Sequence, residues 1–202
     1  MNTPTGYRIA REITDVAVEV IAAGPPPLPS FDGTRYALRP VDPLGTDPEM
    51  LSEWFARPHL MQTWEQPWSA ARWQEDSAYR LAGDYSLPCI LSVDGLEIGY
   101  IELYRAARDE IARIYRGHAH DVGLHVATAD TRYLGRGVVS GWMRLLPAAI
   151  YHVDSDCRRM MIEPSASNMP MRKALDRLGW TLLGEFDIRP DRRIALYRTD
   201  RD

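Results

Sequence analysis

The sequence has no run approaching the ~20 consecutive apolar residues that a membrane-crossing helix needs. Met1 to Arg11 lacks a continuous apolar stretch, so no secretory signal is expected and the cytoplasm is the expected compartment. Only two cysteines occur, Cys89 and Cys157, far apart and each in an apolar run. That pattern reads as buried free thiols in a reducing compartment rather than a disulfide framework. No segment is strongly basic and net charge is −4, which argues against a nucleic-acid partner. The phosphate-binding G-K-[ST] and G-x-G-x-x-G patterns are both missing. His59, His118, His120 and His125 do not fall into a metal-ligand spacing, and no metal is expected. There is no internal repeat.

What is present is an ordinary soluble composition, 45% apolar and 26% charged, on a chain long enough to bury one sizeable core. Residues 1–34 read as an N-terminal arm. In it an amphipathic patch, "ITDVAVEVIAAG", precedes the proline run "PPPLPS". The patch can dock on the domain or on a partner; the plainer expectation is a loosely packed arm. Residues 35–202 read as one domain.

The domain's punctuation is dense. Asp47 before Pro48 reads as a helix cap, Ser69 as another, and Gly83 as a stop. Asp94-Gly95 between two apolar runs marks a hairpin. A helix capped near Ser167 stops at Gly179, and a second hairpin closes the chain. The order β, α, α, β, β, β, α, β, α, β, β predicts an α+β domain with a mixed sheet. The two strands joined by the helix from about Val138 should be parallel.

The segment "GLHVATADTRYLGRG", Gly123–Gly137, runs from a strand into a glycine turn and then that helix. A helix N-terminus offers unpaired N–H groups and a favourable field to an anion. Gly135 and Gly137 let the backbone approach closely, and Arg132 and Arg136 add charged donors. Spacing alone leaves an anion cradle and a plain helix cap equally open. Alone, His125 is most simply a hydrogen-bonded core histidine, and Glu163 a carboxylate at the next helix's start. Two aromatics and a carboxylate in "RPHLMQTWEQPW" (Trp64 and Trp68 with Glu65, beside His59) suit a cationic amine, or else simply cover the sheet. Glu102 and Tyr104 are further acceptor candidates. The arginine-rich "RAARDEIARIYRGH" suits a substrate carboxylate or a solvated helix face.

"RYLGRG" resembles the pyrophosphate turn of the GNAT N-acetyltransferase family, and "PSASNMPMRKALDRLGW" resembles that family's next motif. The resemblance spans about residues 35–199. "DVGLHVATAD", "RRMMIEP" and "LLGEFD…RRIALY" are similar to its siderophore-biosynthesis branch, which serves mycobactin, aerobactin and related hydroxamate pathways. The resemblance implies a GNAT fold: a mixed sheet of about seven strands, with parallel strands 4 and 5 splayed to admit acyl-CoA. It implies cofactor contacts at Val126, Arg132, Gly135, Arg136, Gly137, Asn168 and Arg172, with acetyl-CoA the first expectation. It implies His125 and Glu163 as catalytic residues, while His59, Trp64, Glu65, Glu102 and Tyr104 stay acceptor candidates on their own chemistry. The acceptor would be a small diamine or amino acid, lysine- or ornithine-like and often N-hydroxylated, with other siderophore-pathway enzymes as possible partners.

Two departures stand out. The carboxylate position is commonly aspartate, and Glu163 is one methylene longer. A tyrosine that protonates the leaving thiolate in many relatives is here Leu175, which leaves the general acid unassigned. The competing functions are an aminoglycoside 6′-N-acetyltransferase and a non-catalytic CoA-binding module.

Overall fold

A computed structural model describes residues 7–64 and 66–201. Seven strands form one sheet in the order β1-β2-β3-β4-β5-β7-β6. They are β1 (Tyr36–Pro40), β2 (Ser86–Val93), β3 (Leu96–Arg105), β4 (Val122–Thr128), β5 (Arg159–Ile162), β6 (Thr181–Arg189) and β7 (Arg192–Asp200). The helices are α1 (Val18–Ala22), α2 (Asp47–Phe55), α3 (Pro58–Met61), α4 (Ala70–Ala82), α5 (Val138–Val153) and α6 (Met169–Leu178). This is the expected α+β architecture with a mixed seven-stranded sheet.

Local chemistry explains most boundaries. At the β2–β3 turn Asp94 and Gly95 both have positive φ, 52° and 78°, as the tight hairpin turn with matching twist demands. Ser69 caps α4 by accepting from the Arg72 amide, and Gly179 ends α6 at φ 81°. One cap differs from expectation by one residue. Thr46, not Asp47, precedes α2, because the Asp47 carboxylate is taken by Arg39 and the Asp42 amide. The cap expected near Ser167 is Asn168, which accepts from the Met171 amide at 3.2 Å.

Strand alternation divides the core by parity. Leu103, Val122, Leu124, Met160 and Ile162 face α5, where Trp142, Met143, Leu146 and Ile150 are wholly buried. Residues of opposite parity face the other way. Ile90, Tyr100 and Ala127 pack with Trp73 and Phe55 of the helical layer, and Tyr104 packs with Met161, Ile194 and Leu196. Each such large apolar side chain contributes about 1.5–3 kcal/mol on burial.

β4 and β5 are the parallel pair, and they share only three rungs, ending at Leu124↔Ile162. β4 continues to Thr128 with no β5 partner beyond that rung among the described residues. His125 and Glu163 are therefore the first residues past the last rung, one on each side of the opening.

The arm is packed rather than loose from Tyr7 onward. Tyr7 donates to Asp76 at 2.7 Å and stacks on Tyr79. The Ile13 amide donates to the Arg108 carbonyl at 2.7 Å. Phe31 is buried beside Trp142. The buried Arg105 guanidinium needs acceptors, and the carbonyls of Ala23, Gly24 and Pro25 supply them at 2.8–3.2 Å. The amphipathic patch itself forms only the one-turn α1, which buries no residue.

The arginine-rich stretch also departs from expectation. It makes two 3-10 turns in place of a helix, and Arg108, Asp109 and Glu110 are buried with Arg105. Arg105 pairs with Asp154, and Arg108 with Glu12 and Asp84. These arginines brace the fold and are not free for a substrate carboxylate. Both cysteines are buried and free.

Candidate active site

At the opening, His125 Nε2 lies 2.5 Å from Glu163 Oε1. The carboxylate is fully enclosed. Its other oxygen accepts from the Tyr104 hydroxyl at 2.5 Å, while Oε1 also meets Arg192 at 3.2 Å and Arg11 at 3.3 Å. The same Arg11 nitrogen lies 2.6 Å from His125 Nε2. Behind the ring, Nδ1 faces Glu102 Oε2 at 3.6 Å and has no closer hydrogen-bond partner among the described residues. Tyr104 stacks on the imidazole at 4.5 Å, and Trp64 meets it edge-on at 6.2 Å.

Gly123 makes this arrangement possible. It pairs directly with Tyr104 across β3 and β4 and shares its face. The Tyr104 ring lies over Gly123 on its way to Glu163, so closely that a Cβ there would sit 2.0 Å from Cζ. A glycine that reads as an ordinary strand residue is thus the opening through which β3 reaches β5.

The electrostatics follow from burial and pairing. Burial and Arg11 push the His125 imidazolium down, but Glu163 and Glu102 outweigh them and raise its pKa above the ordinary value. Burial pushes Glu163 up, and His125, Arg192 and Arg11 outweigh it, holding the carboxyl well below the usual range. Glu102 is likewise pushed up by burial and brought down to about 2, chiefly by Arg80 and then His125. Asp109, buried beside the site, is raised by desolvation and by Glu163. Its carboxylate accepts from the Tyr85 hydroxyl at 2.5 Å.

The structure brings together His125, Glu163, Glu102, Tyr104 and Trp64 from the residues expected. Glu102 and Tyr104 change role. Both are buried with their polar ends committed, Glu102 to Arg80 and Tyr104 to Glu163. They shape the His125–Glu163 pair rather than present a surface to an acceptor. His59 is tied to the Thr128 carbonyl at 3.0 Å, fastening α3 to the end of β4. Glu65 lies outside the described residues.

Arg11, Asp109, Arg192 and Arg80 were not picked out from sequence. Arg192 lay within the quoted "RRIALY", but nothing in its spacing pointed to Glu163. Arg11 sits in a segment set aside as an arm, and no local pattern joins it to His125, 114 residues away.

The glycine turn forms as a cradle. Gly135 and Gly137 have φ of 69° and 74°, and Gly137 immediately precedes α5. The turn is exposed, and a Cβ at either glycine would meet nothing within 4 Å. The open space and the α5 N-terminus fit an anionic group. Arg136 is exposed there, and Arg132 is also exposed while paired with Asp130. Val126 stands past the last β5 rung, packed against the α5-side core. Asn168 serves as the α6 cap, and Arg172 is held by the Ala166 carbonyl and Glu185. Leu175 is wholly buried in the core. Among the described residues no cluster has the makings of a metal site, and no helix is long and apolar enough to cross a membrane.

A family model described as an acetyltransferase (GNAT) domain matches residues 43–188. Lysine N-acyltransferase MbtK of Mycobacterium sp. (strain MCS) is 42% identical over 193 residues, covering 96% of this chain and 78% of the relative. N(6)-hydroxylysine O-acetyltransferase of Escherichia coli is 25% identical over 213 residues, covering 100% of this chain and 66% of that protein. Among solved structures, aminoglycoside acetyltransferase AAC(6')-Ib in complex with coenzyme A superposes with a TM-score of 0.72 at 24% identity, covering 82% of this chain and 95% of that one. At that identity the likeness carries the fold alone.

Proposed function

The chain belongs to the acetyltransferase (GNAT) family, and from that premise we propose that it moves an acyl group from acyl-CoA to the side-chain nitrogen of a lysine- or ornithine-like acceptor, before or after N-hydroxylation, in hydroxamate siderophore biosynthesis. It is an N-acyltransferase. Acetyl-CoA is the first candidate donor, and the cytoplasm, where acyl-CoA is made, the compartment. The observation that carries the reading is the His125–Glu163 pair, standing where β4 and β5 part and downstream of which the chain forms an open glycine cradle.

The chemistry runs in one ternary complex. The acceptor nitrogen must be neutral to attack the thioester carbonyl, so it gives up a proton at the outset or as the bond forms. His125 Nε2 takes that proton. Glu163 then faces an imidazolium at hydrogen-bond distance, and the Tyr104 and Arg192 donors keep the carboxylate ionised for that task. The N–C bond forms, the carbonyl becomes an oxyanion, and its collapse breaks the C–S bond. The thiolate leaves and is protonated by solvent or by His125, since the buried Leu175 has no proton to offer. The first N–H groups of α5, with Gly135 and Gly137, would hold the CoA pyrophosphate.

The test is release of free thiol from acetyl-CoA, with lysine, N-hydroxylysine, N-hydroxyornithine, cadaverine and kanamycin run side by side. Turnover is expected with the lysine- or ornithine-like acceptors. Turnover of kanamycin alone would point to an aminoglycoside acetyltransferase, and tight CoA binding with no turnover to a binding module. His125→Ala should lower kcat by about 10²–10⁴-fold. A loss below threefold with unaltered CoA affinity would remove the base role.

A further inference from the structure

His125 Nε2 has two partners and one in-plane position. When it carries a proton it donates to Glu163, and when bare it accepts from Arg11. It cannot do both at once. The residue that favours the bare state comes from the N-terminal arm, outside the segment matched by the family model.

Its placement is specific. Arg11 is not glycine, yet its φ is 71°, a left-handed conformation that costs a side-chain-bearing residue about 1 kcal/mol or more. The backbone is pinned on both sides of it. Tyr7 is fixed to Asp76, Glu12 pairs with Arg108, and the Ile13 amide bonds the Arg108 carbonyl. The strained residue between these anchors points a guanidinium at the two atoms that the acyl-transfer reading uses. Resting on that reading, we propose that Arg11 is a positioning residue of the active site, whose N–H on Nε2 keeps that nitrogen an acceptor until the acceptor's own N–H replaces it.

The surroundings of the ring explain the need. Glu102 and Tyr104 face it from β3, Glu163 from the end of β5, and Asp109 lies close from the 3-10 turn. Arg80 of α4 is committed to Glu102 and Asp76, and Arg192 of β7 to Glu110 and Glu163. Among the described residues, Arg11 is the cation in direct contact with the imidazole. Without it, an imidazole flanked by carboxylates stays protonated to still higher pH, and less of it is free to take a proton near neutrality.

Arg11→Gly and Arg11→Lys test this. Glycine relieves the left-handed strain while removing the guanidinium, so loss of folding is not the expected result, and a thermal melt checks it. The readout is the titration of the His125 ring C–H in the NMR spectrum of the substrate-free protein, assigned by its loss in His125→Gln. In Arg11→Gly the midpoint should move to higher pH, and kcat/KM at pH 7 should fall about tenfold and recover as pH rises. Arg11→Lys should lie between. An unmoved or lowered midpoint in folded Arg11→Gly overturns the proposal. So does a KM increase confined to acceptors bearing an α-carboxylate with the midpoint unmoved, which would make Arg11 a substrate anchor. If the wild-type protein acylates no amine, the functional reading fails, while the His125 titration still decides the role of Arg11.

Discussion

Replacing Gly123 by alanine adds one methyl group where the Tyr104 ring already lies. The new Cβ would stand 2.0 Å from Cζ, 2.1 Å from Cε2 and 2.6 Å from the hydroxyl oxygen, far inside contact distance. The ring is wholly buried and cannot swing into solvent. Forced repacking of this kind costs about 1–3 kcal/mol. A displaced ring also loses its hydrogen bond to ionised Glu163, worth about 1.5–3 kcal/mol. The sum, about 2.5–6 kcal/mol, corresponds to a fall in Tm of about 5–24 °C at this chain length. Activity should fall as well, because Tyr104 holds Glu163 and stacks on His125. Calorimetry of Gly123→Ala, Tyr104→Ala and the double variant separates the cause. Truncating Tyr104 removes the three atoms nearest the added methyl, so Gly123→Ala should cost less than about 1 kcal/mol in that background. Additive penalties, or a single variant melting within about 2 °C of wild type, would refute the steric account of Gly123.

Three further outcomes follow from the same geometry. Glu163→Gln removes a carboxylate that raises His125, so kcat should fall and the acid limb of kcat/KM should move to lower pH, opposite in sign to Arg11→Gly; pH-rate profiles of both variants check this. Glu102→Gln takes one of two carboxylates from the buried Arg80, leaving Asp76 and the Ser86 hydroxyl, and should cost about 3–5 kcal/mol in urea unfolding at pH 7. The Glu102 carboxyl is held at about 2, so its contribution is complete above its unfolded pKa, about 4.3, and disappears as pH falls towards 2. The stability curve of Glu102→Gln should accordingly be flatter over that window. Gly137→Ala at φ 74° meets no neighbour, so it should fold with a penalty of about 1–2 kcal/mol while raising the KM for acetyl-CoA and leaving that for the acceptor unchanged; steady-state kinetics in both substrates check it.

Apart from the short α1 and α3, the element order was legible, the hairpins from local turn chemistry and the parallel pair from the crossover rule. Asp94-Gly95 needs two positive φ angles, Ser69 offers an N-cap oxygen, and Gly179 ends a helix, whatever the rest of the chain does. The glycine turn was legible as a turn for the same reason, whereas the expectation that His125 and Glu163 face one opening came from the resemblance to the GNAT family. The turns and caps are short-range constraints, set within a few residues of the positions that carry them.

What only the tertiary structure decided is where the charged groups end. Glu102 and Tyr104, expected at an acceptor surface, are buried because Arg80 and Glu163 neutralise or satisfy them, and neither partner is near in sequence to the site it completes. Arg105 and Arg108 turn inward because carbonyls and carboxylates from the arm and neighbouring loops meet them. Arg11 reaches His125 only because the folded sheet gives the arm a surface to cross. The sequence by itself determined the strands, the turns and the two residues at the parting of β4 and β5. Which charges surround those residues was set by packing, because a buried charge persists only where distant segments supply its partner.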